Sequence, residues 1–189
     1  MHYNPKWFEY GFLDETWLSN QVEQVKVMGD ESTEHYRYAA FKSLLESNPS
    51  LDDLTIAQYI ELAELDEDQT MAQAALALLA RSRNLTDEQL DRVKSHVAFR
   101  TPTLQDIITQ HQLLRTLDAD QLTDEVFERC VTMGNRDVQR KLLGRQDLSA
   151  KQLLRLMTNG SNRAVRNLAR QRLHKIHRLI KGGEFHQES

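Results

Sequence analysis

Apolar residues along this chain recur three and four positions apart, the spacing of one face of an α-helix. Four times the run opens in the same way, with a leucine followed by threonine or serine. The phrases are Leu54-Thr55-x-x-Gln58-Tyr59, Leu85-Thr86-x-x-Gln89-Leu90, Leu122-Thr123-x-x-Val126-Phe127 and Leu148-Ser149-x-x-Gln152-Leu153. The hydroxyl suits an N-cap, where it accepts a first-turn N–H, and a glutamine three residues on can bond back to the cap's own N–H. The leucine before the cap meets the apolar residue five positions later as a hydrophobic staple. Each phrase therefore predicts a helix start, and its repetition predicts repeated helical units.

A second phrase closes each unit: Leu44-Leu45-Glu46, Leu78-Leu79-Ala80-Arg81, Leu113-Leu114-Arg115, Leu142-Leu143-Gly144-Arg145 and Leu168-Ala169-Arg170. The openings lie 31, 37 and 26 residues apart, room for two short helices and two tight turns. The pattern predicts an all-α fold, an α-solenoid of about five antiparallel helix pairs. The pairs are 14–29 with 32–46, 55–65 with 68–82, 86–98 with 102–116, 123–133 with 135–145 and 149–158 with 162–181. Thr101-Pro102 reads as a cap followed by proline at the first helical position. Gly134 and Gly160 end the first helices of the last two pairs. The expected organisation is one repeat domain over 1–181, with an aromatic N-terminal cap at 1–13, a basic helix at 162–181 and a flexible tail at 182–189.

Charge changes this picture more than composition does. The chain of 189 residues is 40% hydrophobic with 7 Gly and 3 Pro, as expected of a folded helical protein. Its net charge is −4, but residues 1–135 sum to −13 and residues 136–181 to +11. Such asymmetry points to a polyanionic or acidic partner, or to head-to-tail self-association. The single cysteine, Cys130, excludes an internal disulfide framework and favours a reducing compartment. No stretch is apolar enough to span a bilayer, and the first residues lack a secretory layout, so a cytoplasmic location is expected.

The last two units, Asn135-Arg136-Asp137-Val138-Gln139-Arg140 with Leu142-Leu143-Gly144-Arg145, and Asn162-Arg163-Ala164-Val165-Arg166 with Leu168-Ala169-Arg170, resemble HEAT repeats and the related leucine-rich-repeat variant. Those families carry a Val-Arg pair early in the second helix and a Leu-Ala-like close. Here Val138 is followed by Gln139 instead. The resemblance implies a curved stack that most often serves as a protein-binding scaffold and less often grips nucleic acid.

The candidate chemistry lies in arginines that share a register. Arg92, Arg129 and Arg155 each fall seven residues after an opening leucine, whereas Arg81, Arg115, Arg145 and Arg170 close second helices. Stacked repeats line such residues up, and guanidinium forks suit carboxylates and phosphates. The plainer role is contact with helix C-terminal carbonyls and the dipole. Arg163, Arg166 and Arg170 belong to a helix with seven basic residues between 163 and 181 and no acid. That helix suits a polyanion, an anionic surface or a partner groove, or is a polar end cap. At the other end, six of 13 aromatics fall within residues 1–17, as a seal on the first helix pair or an exposed anchor patch.

Signals for catalysis are weak. His174 and His177 stand three apart without a third metal ligand nearby, and Cys130 reads as a buried small hydrophobe. There is no phosphate loop or nucleophile elbow. No cofactor and no metal are expected. The leading expectation is a non-catalytic scaffold that recognises an acidic partner segment through Arg81, Arg115, Arg129, Arg145, Arg155, Arg163, Arg166 and Arg170. The alternative is a nucleic-acid binder gripping phosphates with its basic C-terminal half.

Overall fold

A computed structural model of the chain describes residues 3–16, 18–19 and 33–183. Every regular element among them is helical. After α1 (Lys6–Glu9) come α2 (Thr33–Ser47), α3 (Asp53–Glu64), α4 (Gln69–Ala80) and α5 (Asp87–Ser95). A single 3₁₀ turn (Val97–Phe99) leads to α6 (Pro102–Thr116), followed by α7 (Asp124–Met133), α8 (Arg136–Gly144), α9 (Ala150–Asn159) and α10 (Arg163–Gly183). Asp14 accepts the Thr16 N–H at 2.6 Å, so a helix begins where the sequence placed one. The rest of that helix, to Gly29, lies outside the described residues. The chain divides into two compact units, Met1–Ile108 and Thr109–Ser189, where the sequence reading has one domain.

The helix starts follow the capping phrases with one shift. Thr86 with Gln89, and Ser149 with Gln152, form reciprocal capping boxes, and Thr123 caps α7. The first phrase begins three residues earlier than its Leu-Thr pair. Asp52 is the cap of α3 and accepts the Thr55 N–H at 2.6 Å. Leu51, 5% exposed, takes the place of the staple leucine, while Leu54 stands 68% exposed. A carboxylate one turn upstream outcompetes the hydroxyl because the negative charge also meets the positive end of the helix. Second helices are capped by Asp68, Asn135 and Asn162.

In the first unit the N-terminal aromatics enter the core. Trp7 and Phe12 are buried against Phe41 with ring centroids 4.9 and 6.1 Å apart, and Phe41 lies 4.3 Å from Tyr59. Large rings in tilted and edge contact bury much apolar area and add pairwise attraction. The Tyr59 hydroxyl donates to the Ala75 carbonyl at 2.9 Å, and burial raises its pKa far above the usual phenol range. Tyr10 donates to Glu61 at 2.7 Å, and Lys6 pairs with the same carboxylate. The aromatic segment is therefore a seal over α2 and α3.

The second unit gathers Leu113, Phe127, Cys130, Leu142, Leu153 and Val165 into its core, with the thiol buried as read. Two buried glutamines tie successive hairpins. The Gln110 carboxamide donates to the Met133 carbonyl at 2.9 Å and accepts the Asn135 N–H at 2.7 Å. Gln139, 1% exposed, donates to Val131 at 2.9 Å and Cys130 at 3.3 Å and accepts the Ser161 N–H at 2.7 Å. A carboxamide offers a donor and an acceptor together, which suits a turn whose N–H and C=O groups both lack helical partners.

Candidate partner-binding surface

The register arginines divide into two groups. Arg92 on α5 forks onto Asp53 at 2.8 and 2.9 Å, and Gln89 donates to the same carboxylate at 3.1 Å. In the second unit Arg155 on α9 reaches Glu128 at 3.3 Å and Asn159 at 3.0 Å, with Gln152 on Asp124 at 3.3 Å. The capping-box glutamine and the arginine three residues later thus hold acids of the preceding first helix in both units, Asp53 alone in the first, and Asp124 and Glu128 in the second. Exposed pairs of this kind contribute about 0–1 kcal/mol each. Arg129, in the same register, is exposed. Beside these pairs lie grooves of about 250 Å³ between α3 and α5 and about 630 Å³ between α7 and α9.

Arg145 is the most committed of the closing arginines. Its side chain is 14% exposed, and all five N–H donors are used. Nε and Nη2 fork onto Asp147 at 2.9 and 2.7 Å. Nη1 donates to the carbonyls of Leu117 and Ala119 at 2.9 and 2.7 Å, and Nη2 to that of Asp120 at 3.0 Å. Arg145 thereby clasps the turn after α6 to the turn after α8. Its counterpart on α10 is Arg172, which donates to the Leu143 carbonyl. Arg170 lies mid-helix and exposed, so the Leu-x-Arg spelling misaligned this register by two residues. Arg166 donates to the Gly160 carbonyl at 2.7 Å, and Lys141 to Leu114 at 2.8 Å. Arg81 is the exposed C-cap of α4, and Arg115 is half-buried in the last turn of α6.

What remains for an outside ligand is concentrated on α8 and α10. Together they hold ten Lys and Arg and one acid, Asp137. Arg136, Arg140, Arg163, Arg170, Lys175 and Arg178 are exposed. The ion pairs Lys141–Asp118, Arg145–Asp147 and Arg155–Glu128 of this unit are made by other side chains than these six. Leu168 on α10 is 38% exposed. Neither helix contains an aromatic residue. The buried Cys130 thiol is pushed up in pKa by desolvation, which disfavours the reactive thiolate.

No group of three or more His, Cys, Asp or Glu that could hold a metal stands together among the described residues, and none of their helices is long and apolar enough to cross a membrane. Compared with models of known protein families, with curated proteins and with solved structures, the chain matches none.

Four carboxyls are held below their usual range. The Thr55 backbone N–H does this for Asp52, Gln89 and then Arg92 for Asp53, Lys6 and then Tyr10 for Glu61, and Arg145 for Asp147. A depressed folded-state pKa stabilises above the unfolded value and loses that contribution as pH falls. The melting temperature is therefore expected to drop as pH falls below about 4. Asp147→Asn should melt lower than wild type near neutral pH and converge with it near pH ~3, a comparison made by calorimetry across pH. Parallel curves at all pH values would remove Asp147 from this set.

Proposed function

We propose that this chain is a non-catalytic, HEAT-like helical-repeat scaffold of the cytoplasm whose α8–α10 face receives an acidic segment of a partner protein. The observation that carries this reading is the segregation of charge: six exposed basic side chains on two helices with Asp137 as the only acid. Arg163 and Arg170 stand two turns apart on one flank of α10, and Arg136 and Arg140 one turn apart on α8. Guanidinium forks spaced in this way suit the carboxylates of an acidic segment. The absence of Phe, Tyr and Trp on α8 and α10 leaves no platform of the usual kind for stacked bases. The ligand-facing members of the arginine set are then Arg163 and Arg170, joined by Arg136 and Arg140. Arg145, Arg166 and Arg155 support the scaffold through bonds inside the unit. A pre-formed helical surface also loses little entropy on binding.

The test is fluorescence anisotropy with a labelled peptide of repeating Glu-Glu-Leu-Glu, beside labelled duplex and single-stranded DNA. The peptide is expected to bind, and Arg136→Glu combined with Arg170→Glu should weaken it by about a hundredfold, tenfold for each 1.4 kcal/mol lost. Circular dichroism should stay unchanged. Peptide affinity indifferent to the double reversal would refute the reading. Tighter, steeply salt-dependent binding of DNA would replace it with phosphate gripping.

A further inference from the structure

The two compact units of the chain carry opposite net charge. The first unit sums to −10 and the second to +6. The groove between α3 and α5 concentrates this on the acidic side. Its floor is apolar, built from Ile56, Ala57, Ile60 and Val93, and its rim carries Asp53, Glu61 and Glu64. Arg92 and Lys6 occupy part of that rim, each already bound to Asp53 or Glu61. Glu64 is exposed. Leu54 and Leu65, at the two ends of α3, are exposed at 68% and 44%. An apolar groove with carboxylates on its rim suits the apolar and basic side chains of an amphipathic helix.

The chain itself carries such a helix. At 1.5 Å per residue, the 21 residues of α10 extend roughly 31 Å, against roughly 15 Å for its ten-residue neighbour α9. Leu173 and Ile176 of α10 are partly buried and pack against the core of the second unit. The helix continues beyond them to Gly183. This distal half reads His174-Lys175-Ile176-His177-Arg178-Leu179-Ile180-Lys181, with three cations, no acid and apolar residues three and four apart. Lys175 and Arg178 are exposed.

We infer that the α3–α5 groove of one copy receives the distal half of α10 from a second copy, so that the chain self-associates head to tail. The contact joins two different surfaces, so each copy has a groove and a helix to offer and association can continue beyond a single pair. It draws on Lys175 and Arg178 of the six exposed cations, and its variants leave Arg136, Arg140, Arg163 and Arg170 unchanged, so its failure is distinguishable from failure of the acidic-segment site.

The test is sedimentation equilibrium of the full chain over a wide concentration range, at low salt and at high salt. The average mass is expected to rise with concentration at low salt and to fall back to one chain at high salt, where exposed charges are screened. Two variants then separate the halves of the contact. Ala57→Arg with Glu64→Lys blocks the groove, and Lys175→Glu with Arg178→Glu reverses the helix. Each variant alone is expected to be monomeric. Mixed, they should form a dimer of one copy of each and grow no further, because only one intact groove meets one intact helix. A wild-type chain that stays monomeric at low salt would overturn the inference. So would variants that still associate alone, or a mixture that does not pair.

Discussion

Replacing Gln139 with leucine is expected to destabilise the second unit by about 2–4 kcal/mol, although the two side chains have similar volume. The carboxamide is 1% exposed, and Cys130 and Val131, whose carbonyls it meets, are buried. The Cys130 carbonyl would keep the Gly134 N–H as a partner at 3.1 Å. The Val131 carbonyl and the Ser161 N–H would lose the bonds of 2.9 and 2.7 Å that Gln139 supplies. A buried polar group left without a partner costs about 1–3 kcal/mol, which sets the expected total. Gln146, exposed and making one contact of 3.5 Å, is the control, and its change to alanine should stay within about 0.5 kcal/mol. Urea denaturation measures both. A loss below about 1 kcal/mol for Gln139→Leu would mean that the turn before α10 finds other partners.

Gly134→Ala is expected to cost about 2–3 kcal/mol through overpacking, with no backbone strain involved. The residue ends α7 at φ −71°, a conformation open to any amino acid. A β-carbon there would stand 2.3 Å from the Cys130 carbonyl oxygen and 2.7 Å from Val138 Cγ1. The first is backbone in the last turn of α7 and the second is a core side chain, so neither can step aside cheaply. Gly160 repeats the arrangement at the end of α9, where the added carbon would lie 2.7 Å from both the Leu156 carbonyl and Val165 Cγ1. Gly144 meets nothing within 4 Å. Its change to alanine should be neutral or stabilising by up to about 1 kcal/mol. Thermal denaturation of the three alanine variants should rank Gly134 lowest and Gly144 highest. Equal melting temperatures would refute the close-packed turn.

These glycines were visible in the sequence as helix ends, and the helices themselves were largely legible. Caps and staples join residues three to five apart, so Leu85-Thr86 with Gln89, and Leu148-Ser149 with Gln152, carry their structure locally. The first phrase misled by one turn because Leu51-Asp52 and Leu54-Thr55 both spell a staple and a cap. Burial of Leu51 decides between them, and burial is a tertiary property. The same limit hid Gln110 and Gln139, whose partners lie on a neighbouring hairpin and depend on how the helices pack. It also obscured the arginines. Read as a row, Arg145 and Arg170 look equivalent. In the structure one is spent on the protein's own backbone, and the other faces solvent.

Most of the Arg145 contact is with main chain. Three of its donors go to the carbonyls of Leu117, Ala119 and Asp120, which every amino acid would provide. The identities of Ala119 and Asp120 are therefore not fixed by this contact, whereas the length of the turn is; Leu117, 3% exposed, is held besides by the core. Inserting or removing one residue between Leu117 and Asp120 would carry the carbonyls out of reach of a guanidinium whose geometry is fixed. A substitution at Ala119 would pass unnoticed. The turn is held to a count of residues, and that constraint is invisible to any comparison that asks only which amino acid stands at each position.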